Sequence, residues 1–324
     1  MSEQTSDGVS ISTSSVPCPK KRDKSNDLEL GEVSKRDKVW NKHKANNDLV
    51  AYHYRGSEFH EYAQRMSTCS EMLEFRLVPS DAGIYSLKLS SSRFCHVRHC
   101  PICQWRRALR YKARAYQALP RVVVDHPGSR WLFMTLTLKN CELPQLRETI
   151  NLMNESFIRM TKLKDWPVEG WIKSLEVTRG KDGSAHPHFH CLLMVKPSYF
   201  SGPNYLSSKK WSELWGKSLR IDYHPVTHVK AIAKHHDPRV IIPECLKYTL
   251  KESDLTIDRE WLIELTHQMH KVKAISVGGV LRKYMKQLEQ EPQDLVGEDG
   301  QGEVDEGKLY FDWRCREKKY RLKE

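Results

Sequence analysis

His186-Pro187-His188-Phe189-His190 runs directly into the apolar stretch Cys191-Leu192-Leu193-Met194-Val195. Along a β-strand successive side chains point to opposite faces. His186, His188 and His190 therefore project from one face, and Phe189, Cys191, Leu193 and Val195 from the other. Neutral imidazole is the commonest protein ligand for a divalent ion. A strand that packs on one side and presents a row of imidazoles on the other is half of a metal site.

The neighbouring segments offer partners. Trp171–Thr178 reads as a second strand, and Arg179–Ala185, with Lys181-Asp182-Gly183-Ser184 inside it, as the turn into the histidine strand. Directly opposed residues of an antiparallel pair share a face. If Glu176 lies opposite His188 or His190, its carboxylate joins the imidazoles. An odd-length loop or a bulge gives that register; a strict two-residue Asp182-Gly183 turn would direct Glu176 away. Trp131–Leu138 is a further strand, in which Thr135 and Thr137 have a structural role. Pro243–Glu252 reads as a short helix opened by its proline. Helical spacing would put Glu244, Tyr248 and Lys251 on one face, at i, i+4 and i+7.

Cys95, Cys100 and Cys103 fall close together, and Cys69 is the natural fourth thiol. Between Cys69 and Cys95 a hairpin is expected, Leu73–Leu77 and Ile84–Leu89 around Ser80–Gly83. Four thiolates make the closed set of a structural zinc site; His96 and His99 are possible substitutes for one cysteine. The helix after the cluster carries Arg106, Arg107, Arg110, Lys112 and Arg114, a candidate face for DNA phosphates. Trp105, Leu109, Ala113 and Tyr116 form the stripe expected to pack. The chain has nine cysteines and no secretory pattern in its polar first 30 residues, so a reducing cytoplasm and metal ligation are expected rather than disulfides.

A formal net charge of +12 over 324 residues fits a polyanionic partner. No apolar run approaches the roughly 20 residues of a membrane span, so no membrane partner is expected. The expected organisation is a disordered arm at 1–45, a cysteine-rich zinc-binding and basic-helix region at 46–124, a histidine-bearing strand-and-helix domain at 125–256 and a helical extension at 257–288. An acidic linker at 289–307 and a basic aromatic tail at 308–324 follow.

A Phe-Met-Thr-Leu-Thr-Leu strand, then His-Pro-His-Phe-His, then Glu-x3-Tyr-x2-Lys resembles the three motifs of rolling-circle plasmid replication initiators of the HUH endonuclease superfamily. The subgroup is the one with a single tyrosine and an accompanying glutamate. The block from Arg93 to Arg107 is also similar, and the likeness covers about residues 65–255. It implies an α+β fold, with a central antiparallel sheet of about five strands flanked by helices, the histidine strand central, and an N-terminal zinc-binding subdomain. It implies His188 and His190 as paired metal ligands, Glu176 completing the set, and His186 as adjacent support or alternative ligand. Tyr248 would be the nucleophile, Glu244 the group that activates water at termination, and Lys251 the lysine one turn on. The activity implied is a metal-dependent, site-specific DNA nickase and strand transferase, using Mg²⁺ or Mn²⁺ beside a structural Zn²⁺. Its partners would be single-stranded and hairpin origin DNA, a host helicase and a DNA polymerase. A transposase or relaxase of the same superfamily shares the site, although relaxases tend to place the tyrosine before the histidines. A histidine-triad nucleotide hydrolase and a non-enzymatic zinc-dependent DNA-binding regulator are the alternatives of other classes.

Overall fold

The structure, a computed structural model, describes residues 28–79, 85–233, 237–246, 250–287 and 307–323. In chain order, α1 (Leu30–Val33), α2 (Val39–Tyr54) and α3 (His60–Ser67) precede the hairpin strands β1 (Met72–Pro79) and β2 (Tyr85–Ser92). The long helix α4 (Pro101–Asp125) leads to β3 (Arg130–Thr137), α5 (Leu146–Met160), β4 (Val168–Arg179), β5 (Ala185–Val195), α6 (Ser208–Leu219) and β6 (Thr227–Ala231). Three short helices, α7 (Ile242–Cys245), α8 (Glu252–Ile257) and α9 (Arg259–Gln268), come next. The order closes with β7 (Ile275–Gly279), α10 (Leu281–Gln287), β8 (Lys308–Arg314) and β9 (Lys319–Leu322).

Five strands form an antiparallel sheet in the order β6-β3-β5-β4-β7, so the histidine strand is central. The expected α+β architecture is present. Burial on both faces explains why β5 is interior. Phe189, Cys191, Leu193 and Val195 are at most 1% exposed and join a core with Ile150, Met153 and Phe157 of α5 and Trp211 and Trp215 of α6. Leu192 and Met194 on the opposite face pack with Ala115, Leu119 and Val122 of α4, Cys245 of α7 and Met285 of α10. Each Leu, Ile, Val, Phe or Met side chain so removed from water contributes about 1.5–3 kcal/mol. Towards the loop between β4 and β5, that second face changes from apolar to polar, from Leu192 to His190 and His188.

A second antiparallel sheet, β2-β1-β8-β9, lies with the N-terminal helices and the cysteines. Here the structure corrects three expected boundaries. The arm does not extend to residue 45: Leu28 already accepts a backbone hydrogen bond from Leu322, and Leu30 and Trp40 are at most 1% exposed. Two of the few apolar residues in that stretch, Leu30 and Trp40, anchor it by full burial, while Leu28 and Val33 stay exposed. Residues 308–323 are not a separate tail. Lys308–Asp312 pair along β1 and Lys319–Leu322 along β8, with Phe311 and Tyr320 fully buried. The acidic segment at 289–306 and the hairpin turn at 80–84 lie outside the described residues.

The third correction concerns 257–288, which is not all helix. Ile275–Gly279 is an edge strand on β4, because Gly278 leaves room for the Trp171 ring and Gly279 turns the chain at a φ of +59°. The packed stripe of α4 also differs from the expected one. Ala108, Ala115, Ala118 and Val122 are buried, since small residues let neighbouring helices approach closely, and Tyr116 is 40% exposed. Among the described residues, no helix is long and apolar enough to cross a membrane.

Gly279 and Gly183 both have positive φ, but a Cβ on Gly279 would lie 2.1 Å from the Glu169 carbonyl oxygen, and one on Gly183 would meet nothing within 4 Å. In urea denaturation, Gly183→Ala is expected to cost about 1 kcal/mol from backbone strain alone. Gly279→Ala should cost at least about 2 kcal/mol, adding a steric clash to the strain. Equal losses would contradict the edge-strand geometry.

Candidate metal and nuclease centre

The loop between β4 and β5 sets the site. Arg179 pairs with Ala185, leaving the five residues 180–184 between them. The loop is closed by Asp182, whose carboxylate accepts from Ser184 N at 3.1 Å and Ser184 Oγ at 2.6 Å, and by Gly183 at a φ of +84°. With that odd length Glu176 stands opposite His188 and Ser174 opposite His190. On the other side of β5, Thr137 faces His188 and Thr135 faces His190.

Glu176, His188 and His190 are 7%, 9% and 7% exposed. Glu176 Oε2 lies 2.9 Å from His190 Nε2 and 3.3 Å from His188 Nε2, and the three ligand atoms all fall within 4.8 Å of one another. Burial alone would raise the Glu176 pKa, but hydrogen bonds from His188 and His190 and their charge outweigh it and hold the carboxyl well below its usual range. Each ring is oriented through its other nitrogen. His188 Nδ1 donates to the His186 carbonyl at 3.3 Å, and His190 Nδ1 lies 3.2 Å from Thr135 Oγ1. Phe133 stacks on His190 with centroids 5.6 Å apart. Such second contacts leave Nε2 for a metal. Two imidazoles and a carboxylate fit a divalent ion and leave coordination positions open.

His186 does not join this group. Its Nδ1 lies 2.7 Å from Asn140 Oδ1, Asn140 Nδ2 donates to Ser184 Oγ at 2.9 Å, and its ring centroid is 5.2 Å from that of His188. It supports the loop and its neighbour. Sequence reasoning missed Asn140 and gave Thr135 only a structural part; opposition to His190 was the signal for Thr135.

The expected helix over Pro243–Glu252 is not continuous. α7 stops at Cys245, Leu246 leaves helical geometry at φ −108°, ψ 50°, and Lys251 is extended at φ −70°, ψ 133°. Leu246 and Leu250 bury in two different cores, whereas a helix would place residues i and i+4 on one face. Glu244 is half-buried on α7 and Lys251 is exposed beyond it. Tyr248 lies outside the described residues. Both flanks of its segment are anchored at the triad's strands. Before it, Ser174 Oγ donates to the Cys245 carbonyl, and Cys245 Sγ donates to the His190 carbonyl at 3.7 Å. After it, Leu250 bridges to Val177, the residue following Glu176.

The four expected thiols form a separate, buried cluster. Their sulfurs lie 3.7 Å (Cys69–Cys100), 3.8 Å (Cys69–Cys103) and 3.6 Å (Cys95–Cys103) apart. Tetrahedral zinc with bonds of about 2.3 Å sets its sulfurs about 3.8 Å apart, far beyond the 2.05 Å of a disulfide. Hydrogen bonds from Cys100, Cys69 and Cys95 hold the Cys103 thiol far below its usual pKa, and burial pushes Cys100 well above it. Four buried sulfurs can all be thiolates only around a cation, so the set fits zinc. Exposed His96 does not join the cluster. His99 is buried and turned to Tyr54 and Thr266, with Nδ1 3.1 Å from Thr266 Oγ1; burial lowers its pKa to about 3. On α4, Arg106 packs over the Trp40, Phe94 and Trp105 rings, Arg114 lies over Tyr111, Arg110 is exposed, and Arg107 and Lys112 are half-exposed.

A protein family described as "Replication protein" matches residues 86–321. The chain is 32% identical over 273 residues to "Protein rep" of Streptococcus pneumoniae serotype 2, an alignment covering 80% of this chain and 84% of that one. It is 31% identical over 300 residues to "Protein rep" of Lentilactobacillus hilgardii, covering 88% and 92%. To "Protein rep" of Lactiplantibacillus plantarum it is 33% identical over 267 residues, covering 78% and 82%. No solved structure matches.

Elemental analysis of the purified protein should find about one zinc per chain, retained through dialysis. Cys103→Ser should lower that content and destabilise the fold. Folded wild-type protein free of zinc would contradict the assignment.

Proposed function

The chain belongs to the replication protein family, and from that premise we propose that it starts rolling-circle plasmid replication by nicking single-stranded origin DNA through Tyr248. The observation that carries this reading is the convergence of Glu176, His188 and His190 between the two anchors of the segment that bears Tyr248.

A phenol has a reference pKa of about 10 and is a weak nucleophile at neutral pH. A divalent ion such as Mg²⁺ or Mn²⁺, held by Glu176, His188 and His190, would polarise the scissile phosphate and orient it for in-line attack. Tyr248 Oη gives up its proton to solvent water and forms the new bond to phosphorus as the bond to the 3′-oxygen breaks. That oxygen takes up a proton and leaves as a free 3′-hydroxyl, while the 5′-phosphate stays on the tyrosine. The hydroxyl primes a host DNA polymerase, with a host helicase opening the duplex ahead of it. Glu244 deprotonates the water that hydrolyses the phosphotyrosyl bond at termination. Lys251 adds positive charge near the phosphate. Arg107, Arg110, Lys112 and Arg114 contact the DNA backbone along α4, and Arg106 shares that task with its packing role.

Wild-type protein incubated with labelled single-stranded origin oligonucleotide and Mn²⁺ should form a covalent adduct that survives a denaturing gel. Tyr248→Phe should lose both adduct and cleavage and keep its DNA affinity. Glu244→Ala should form the adduct and release it slowly. Nicking by Tyr248→Phe would overturn the nucleophile assignment. No adduct from the wild type would favour a non-enzymatic regulator. Loss of first cleavage in Glu244→Ala would make Glu244 a base for Tyr248 or a metal ligand.

A further inference from the structure

Glu252 is an acidic side chain with no part in the chemistry above, yet it is only 9% exposed. One carboxylate oxygen accepts from Asn46 Nδ2 at 2.6 Å, and the other pairs with His43 Nδ1. His43 is 3% exposed and its ring stacks on Trp105, with centroids 4.5 Å apart. One turn further along α8, the carbonyl of Thr256 accepts from His53 Nε2 at 2.9 Å. His43, Asn46 and His53 all belong to α2. The same helix is tied to the thiol cluster, since Cys100 Sγ lies 3.0 Å from the Asn47 side-chain amide and Asn47 Nδ2 donates to the Met66 carbonyl at 2.9 Å.

α8 is also tied to the metal strand. Arg179 donates from its backbone N–H to Asp254 at 3.1 Å and from Nη2 to Asp258 at 2.7 Å, three residues beyond Glu176. Leu250, two residues before Glu252, bridges to Val177. The six-residue helix thus joins the zinc-bearing body to the strand that carries Glu176, immediately after the segment containing Tyr248.

We propose that the buried His43–Glu252–Asn46 cluster is a positioning device that holds the downstream end of the Tyr248 segment against the metal strand, using the zinc-bearing body as its fixed support. The proposal rests on Tyr248 being the nucleophile. A buried carboxylate with two partners has one preferred geometry, because leaving it unpaired is costly. Bond formation at phosphorus is sensitive to small displacements of the attacking atom. The cluster therefore acts on the rate of cleavage and leaves DNA binding unchanged.

The test is single-turnover cleavage of single-stranded origin oligonucleotide by the full-length, zinc-loaded protein, with DNA affinity and zinc content measured on the same samples. Glu252→Ala should slow cleavage by about tenfold or more with affinity and zinc unchanged. Glu252→Gln should recover most of the rate, because its amide oxygen accepts from Asn46 and its amide N–H donates to His43. Glu252→Ala combined with His43→Ala should slow cleavage by less than the product of the two single effects, since the two share one contact. Asn46→Ala, at a half-buried position, repeats the test with less risk to folding. Wild-type cleavage rates in Glu252→Ala and Asn46→Ala would overturn the proposal, as would a parallel loss of affinity and rate. Wild-type adduct on Tyr248 is the control. Its absence rejects the nucleophile reading itself, and its presence with unaffected variants rejects only the positioning device.

Discussion

The contact on which the site depends is the pairing of Glu176 with His188 across β4 and β5. It follows from a five-residue loop that Asp182, Gly183 and Ser184 close. A slip of one residue would turn Glu176 toward the opposite face, where Phe157, Phe189 and the tryptophans of α6 pack. An unpaired carboxylate there is strongly disfavoured. The same hydrophobic packing that stabilises the sheet therefore enforces the register that assembles the ligands.

The second dependence is on β5 having two kinds of surface. Its apolar face is covered along its length by α5 and α6. Its other face is covered by α4, α7 and α10 only beyond His190. Toward the loop it carries His188 and His190, beside Ser174 and Glu176 of β4, in place of apolar residues. Docking α7 on that boundary brings the Cys245 thiol to the His190 carbonyl, and Leu250 returns the chain to Val177. The segment with the proposed nucleophile is thus anchored before and after the triad by core residues. The chain closes this arrangement by sending β8 back to β1 and β9 onto β8, so residues from before and after the five-stranded sheet build the body that holds the cysteine cluster.

Much of this was legible in the residues because it is local. Alternation along 186–195 carries the strand and its two faces, the clustered cysteines carry the zinc set, and the loop parity rule stated when Glu176 would converge. What was not legible depends on distant partners. Leu246 and Leu250 end the helix expected over Pro243–Glu252 because two separate cores receive them. Ile275–Gly279 is a strand because β4 offers an edge and Trp171 lies over Gly278. Phe311 and Tyr320 read as a loose aromatic tail until β1 is there to pair with Phe311 and β8 with Tyr320. Tyr248 rests on the motif likeness, supported by the anchors on either side of it.

The central claim is that β-sheet register builds a divalent-metal centre from Glu176, His188 and His190. Crystals grown with Mn²⁺ and measured for its anomalous scattering test this most directly. The account predicts a peak about 2.0–2.2 Å from Glu176 Oε2 and the Nε2 atoms of His188 and His190, with His186 still bonded to Asn140. A peak held by His186 in place of Glu176, or no peak at the triad at millimolar Mn²⁺, would contradict it.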